Sequence, residues 1–104
     1  MTGVALHPEA LADLDEIYGS LAEYSPSRAD RMIHEILDRI EAIVPFPRQG
    51  FRRPNLTSCP LRFVLVKEYL IAYAPEKTPL WVVAIFHGRR NPRVLAAILR
   101  GREN

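Results

Sequence analysis

The apolar positions change period once along the chain, and the change separates a helical first half from a strand-rich second half. Leu11, Leu14, Ile17 or Tyr18, Leu21 and Tyr24 recur every three or four residues, the spacing of one helix face. Asp13, Asp15, Glu16 and Glu23 are then expected mostly on the outward side. His7-Pro8-Glu9 reads as the helix start, because proline suits the first helical position and an acid favours the positive end of the dipole. Gly19 is a weak spot inside it, at about 1 kcal/mol against alanine. Ser25-Pro26 marks a break and a restart. Ala29, Ile33, Ile36, Ile40 and Ile43 form the next stripe, widened by Met32 and Leu37, until Pro45 and Pro47 stop it. So short a connection predicts neighbouring, roughly antiparallel helices.

After a proline- and arginine-rich loop, Pro45 to Pro60, the pattern becomes β-like. LRFVLVK, YLIAYAP and PLWVVAIFH are rich in β-branched and aromatic residues, with breaks near Glu68 and at Glu76-Lys77-Thr78. They predict a three-stranded antiparallel meander. VALH, Val4 to His7, reads as a short N-terminal strand. Asn91-Pro92 opens a short C-terminal helix that Gly101 would end. The expected fold is α+β: a short N-terminal strand, a helical hairpin packed on an antiparallel sheet with a three-stranded meander, and a short C-terminal helix, all in one domain over residues 1–104.

Strict alternation along the last strand puts Trp81, Val83 and Ile85 on one face and Leu80, Val82, Ala84 and Phe86 on the other. Both faces are apolar, where a half-covered antiparallel sheet would alternate to polar. The hairpin can cover one face. A partner chain is expected to complete the cover of the second, the alternatives being the last helix or a homodimer.

Charge adds a direction. Residues 1–44 hold nine acids and three bases, and residues 45–104 hold eleven bases and three acids, so the halves carry −6 and +8. Twelve of the fourteen bases are arginine, whose planar fork suits phosphate or carboxylate. A positive face that attracts phosphate or an acidic protein follows. Cys59 is the only cysteine, which excludes an intramolecular disulfide and a multi-thiolate zinc site. A reducing, cytoplasmic home is expected, with no cofactor. The longest apolar run, Leu80 to Phe86, is far short of the roughly 20 residues of a membrane helix.

In their order and spacing, the Pro-initiated second helix, the loop PFPRQGFRRPNL, the strands LRFVLV and YLIAYA and the ending VVAIFHGRR resemble the ParE branch of the RelE/ParE toxin superfamily. The resemblance spans nearly the whole chain. It implies the toxin half of a bacterial type II toxin–antitoxin module, neutralised by a cognate antitoxin that wraps it with a helical and extended segment. Higher-order toxin–antitoxin hetero-oligomers are implied as well. Some family members block DNA gyrase, and RelE-like relatives cleave messenger RNA on the ribosome.

The two activities place different demands on the chain. RNA cleavage needs a base, groups that stabilise the phosphate, and an acid for the leaving oxygen. By resemblance, Arg62 matches the sheet arginine of the nucleases, and Arg89 or Arg90 the arginine after their last strand. The nuclease's C-terminal tyrosine or histidine is missing, with Leu95 near its place, so His87 would have to substitute. The catalytic set of that reading is Arg62, His87 and Arg90. The alternative reading of His87 is a strand-end histidine hydrogen-bonded to a turn. Inhibition by binding needs no catalytic set. It requires only one basic edge of Arg52, Arg53, Arg62, Arg89, Arg90 and Arg93, joined by His87 and Trp81, to meet the target or the antitoxin. A plain nucleic-acid-binding module has the least support, since the sequence offers no helix-turn-helix spacing and no stacked aromatic platform.

Overall fold

In the computed structural model, residues 3–102 are described. The order is β1 (Val4–Leu6), α1 (Pro8–Ala22), α2 (Pro26–Ile43), a 3₁₀ turn (Pro47–Gln49), β2 (Arg62–Val66), β3 (Tyr69–Ala74), β4 (Leu80–His87) and α3 (Pro92–Gly101). The predicted helix starts form as their residues dictate. His7 Nδ1 accepts from the Glu9 amide at 3.0 Å, Ser25 Oγ from the Arg28 amide at 3.3 Å, and Asn91 Oδ1 from the Arg93 amide at 2.9 Å. Each is followed by proline at the first helical position. Among the described residues no helix is long and apolar enough to cross a membrane.

The four strands lie in the order β1-β4-β3-β2. β2, β3 and β4 form the expected antiparallel meander. β1 runs parallel to β4, so the sheet is mixed. β1 ends early: it pairs only Leu80 to Val82, and the rest of that edge of β4 needs other partners.

The face of α1 differs from the expected one. Ala10, Leu14 and Ile17 are buried with Leu21 against them, whereas Leu11, Tyr18 and Tyr24 are exposed. Asp13 therefore turns inward, toward β4, and not outward. On α2 the expected stripe holds with one exchange: Ala29, Met32, Ile36, Ile40 and Ile43 are buried, and Ile33 and Leu37 are half-buried against them.

Alternation along β4 also fails, for a local reason. Ala72 pairs with Ala84 but Tyr73 pairs with Val82, so Val83 is an extra residue, a β-bulge. The bulge reverses the parity of everything after it. Leu80, Val82 and Ile85 face the helical hairpin, and Val83, Ala84 and Phe86 face the other side beside Trp81. That second side is not left for a partner. Leu56 and Leu61 from the long loop and Leu95 and Leu99 from α3 close it, and Val83, Ala84, Phe86, Phe63 and Leu70 are at most 4% exposed.

The long loop is anchored as well. Phe51 and Phe63 exchange backbone hydrogen bonds of 2.9 and 2.8 Å, which adds a one-residue bridge outside β2. The Tyr73 hydroxyl, fully buried, donates to Pro47 O at 2.7 Å and accepts from the Gly50 amide at 3.0 Å.

Candidate functional site

The meander decides where the cationic residues go. Arg62 opens β2 and pairs with Tyr73 at one end of β3, while His87 closes β4 and pairs with Tyr69 at the other end. Four strand residues, roughly 13 Å, separate the two ends along the strand direction. The expected single basic edge is therefore two clusters. Arg52, Arg53 and Arg62 lie at the start of β2, and His87, Arg89 and Arg90 at the end of β4. Arg93 is exposed on the first turn of α3. Trp81 is half-buried near the start of β4, far from His87, with its ring centroid 5.7 Å from that of His7.

At the His87 end, the imidazole has no idle nitrogen. Nδ1 accepts from the Arg89 amide at 3.1 Å, so it carries no proton, and Nε2 is left to donate to Glu68 Oε2 at 3.1 Å. The Tyr69 ring meets the imidazole edge-on at 5.6 Å. Burial, with Glu68 beside it, raises the Tyr69 hydroxyl above its ordinary pKa. Glu16, Ser20, Tyr69, His87 and Arg90 line a shallow groove between α1 and the end of β4. Arg90 reaches Glu16 at 3.9 Å with both side chains well exposed, an ion pair worth little. Across Tyr69 a second groove collects Arg28, Arg31 and Lys67. This end presents cations against nearby acids, and its histidine organises a turn.

At the Arg62 end, the guanidinium donates to Gly50 O at 2.8 Å and is held half-buried beside the loop. Arg48, Arg52 and Arg62 line one depression, and Arg52 and Arg53 line the next. The proposed trio Arg62, His87 and Arg90 is thus not brought together. Leu95, near the position a nuclease would give its acid, is 1% exposed in the core.

Sequence reasoning missed an ion pair that closes the molecule. Past Val82 the free edge of β4 is capped by Asp13, whose Oδ2 accepts from the Ile85 amide at 2.9 Å. Arg102, just beyond α3, grips the same carboxylate with two bonds of 2.6 and 3.0 Å and donates to Val83 O at 3.3 Å. The hydrogen bonds to Asp13 raise the already high pKa of Arg102. Asp13 falls three residues after Ala10 and four before Ile17, so the corrected phase of α1 is the signal that points to it.

Compared with known proteins, residues 4–92 match the family described as ParE toxin of type II toxin-antitoxin system, parDE. The chain belongs to the ParE toxin family. The structure is also similar to one solved as a chromosomal ParDE TA system from P. aeruginosa, with a TM-score of 0.68 at 20% sequence identity. That match covers 84% of this chain and 96% of the other, and at such identity it speaks for the fold. No curated protein sequence matches. The ParE match ends at residue 92, so α3 after Pro92 and the Arg102 side of the clip lie beyond it.

Proposed function

We propose that this ParE-family protein is a toxin that a cognate antitoxin holds inactive in the cytoplasm, and that it arrests growth by binding DNA gyrase and not by chemistry. Family membership supports the toxin reading, and the likeness to a solved ParDE system supports an antitoxin partner. One observation carries the choice of binding over cutting: of the three residues an RNA-cleaving site would need, Arg62 lies at the opposite end of the sheet from His87 and Arg90, and both nitrogens of His87 are already engaged. A dispersed set cannot surround one phosphate. The target-facing surface in this reading is the end of β4 with Arg89 and Arg90, both exposed.

The test is controlled induction of the protein alone in a bacterial host, with messenger RNA 5′ ends mapped within minutes of arrest. Purified protein is assayed alongside for inhibition of gyrase supercoiling. Intact messages together with lost supercoiling are the expected result. Fresh cuts inside translated codons would replace this reading by the nuclease one. Substituting Arg89→Ala and Arg90→Ala together should abolish arrest while changing stability by less than about 1 kcal/mol, because the ion pair removed among the described residues, Arg90 with Glu16, is exposed. A folded, fully toxic double variant would show that the target surface lies elsewhere.

A further inference from the structure

We propose that the loop between α2 and β2 is a docking surface for single-stranded nucleic acid, formed by Arg48, Arg52, Arg53 and Arg62 together with the exposed ring of Phe51. The surface lies at the opposite end of the sheet from Arg89 and Arg90, and it stands independently of the gyrase reading.

Charge gives the first reason. Four arginines gather there, and the one acid among the residues lining the two depressions is Glu76. Its contact with Arg48 is long, 3.8 Å, with both side chains about two-thirds or more exposed. At the other end of the sheet Glu16, Glu35 and Glu68 lie against Arg90, Lys67 and His87. The loop therefore gathers four arginines against one weakly engaged acid, a positive patch.

Geometry gives the second. Arg62 is fixed through Nη1 by Gly50 O, and Arg53 through Nε by Asn55 Oδ1 at 3.2 Å, so each guanidinium is positioned through one nitrogen while its others can meet a ligand. Arg52 borders both depressions. A chain of repeating phosphates can occupy two adjoining cationic depressions that share an arginine, whereas a single anion fills one.

The third reason distinguishes a nucleic acid from an acidic peptide. Phe51 immediately precedes Arg52, is held in place by its backbone bridge to Phe63, and leaves 41% of its surface open. Phe46, in the same loop, is 70% exposed. An exposed aromatic ring in the same loop as the arginines offers a platform for an unpaired base, and a base inside a duplex cannot use it. The sequence alone did not show this platform, because nothing in the pattern PFPRQGFRRP says which phenylalanine stays open.

The test is fluorescence anisotropy with the full chain and a labelled thymidine oligonucleotide of about a dozen residues, over a range of salt. Binding should weaken steeply with salt. The Arg52→Ala, Arg53→Ala double variant should lower the log–log salt slope by about 1.4, the share of two phosphate contacts on a single strand. Phe51→Leu keeps the apolar contact to Phe63 and removes the π face, so it should weaken binding about ten-fold. Chemical-shift mapping on the unaltered protein should place the oligonucleotide at residues 48–53 and not at 87–93, which keeps the test valid if a variant unfolds. No binding would overturn the proposal. So would equal affinity for duplex together with an indifferent Phe51→Leu, and so would equal displacement by polyglutamate, which would make the loop an acidic-peptide surface.

Discussion

Replacing Asp13 with alanine should destabilise the protein by about 2–4 kcal/mol, seen as a lower midpoint in chemical denaturation. The carboxylate takes three hydrogen bonds, one from the Ile85 amide and two from Arg102. Its removal leaves the Ile85 amide on the open edge of β4 without its acceptor, and a guanidinium only 11% exposed with the longer bond to Val83 O. Arg102→Ala should cost a similar amount by leaving the carboxylate, 15% exposed, with the Ile85 amide alone. The two losses should not add, since each single change already breaks the shared pair. A double-mutant cycle should return a coupling of about 1–3 kcal/mol. Salt should reduce it only slightly, because a mostly buried pair is poorly screened. Single variants within about 0.5 kcal/mol of the unaltered protein would mean that α3 is not fastened to the sheet in this way.

This clip shows where the sequence was legible and where it was not. α2 was readable because isoleucine recurs at helical spacing, and only the matching face of an isoleucine-rich helix can be buried. α1 allowed two phases. Leu11, Leu14, Tyr18 and Leu21 look as apolar as Ala10, Leu14, Ile17 and Leu21. The packed face is the second of these: Ala10 is fully buried and the larger Leu11 is left outside. Choosing the larger residue displaced Asp13 to the wrong side. The bulge at Val83 had no mark at all, since no glycine or proline interrupts VVAIF. Its consequence was large, because one added residue exchanges the faces of all that follow.

The expected single basic edge divides in two for a different reason, one that topology could have exposed. In a meander of three antiparallel strands, the first residue of the first strand and the last residue of the third lie at opposite ends. Arg62 opens β2 and His87 closes β4, so the predicted order of elements already separated them. The net charge of a sequence half does not fix a place on the surface. The expected excess of apolar sheet surface has a similar origin, because strand residues alone do not show what loops and helices bring over them. The loop leucines Leu56 and Leu61 are non-local covers, and no period reveals them. Whatever partner the protein has must therefore meet a surface already closed over its core, through exposed charges and scattered side chains such as Leu11, Tyr18, Tyr24 and Leu65.

Gly50→Ala should be among the most damaging substitutions in the chain, by about 2–4 kcal/mol, through steric conflict and not through backbone strain. Gly50 has extended dihedrals, φ −71° and ψ 165°, that any residue adopts. A methyl group there would sit 2.5 Å from Tyr73 Oη and 2.9 Å from the carbonyl oxygen of Phe63. Neither neighbour can give way. The first is held by Pro47 O and the Gly50 amide, and the second by the amide of Phe51. Tyr73→Phe separates the two parts of this contact: it keeps the ring, which fills the core, and leaves Pro47 O and the Gly50 amide without their hydroxyl, at about 1–3 kcal/mol. The same hydroxyl predicts the response to alkali. Burial raises its pKa above the ordinary 10.0, outweighing the Gly50 amide and the nearby Arg62 and Arg39, which act in the other direction. A raised folded value means that the unfolded chain releases the proton first. The stabilisation is complete below pH 10 and declines as pH rises above it toward the folded value. Tyr69 is raised too and adds to the decline with the same sign. Denaturation midpoints measured between pH 8 and about pH 11 should therefore fall for the unaltered protein and fall less for Tyr73→Phe. Equal slopes would mean that the hydroxyl is not enclosed between the loop and the sheet. Loss of this enclosure should also release Arg62 from Gly50 O, linking the stability of the clamp to the shape of the cationic loop beside it.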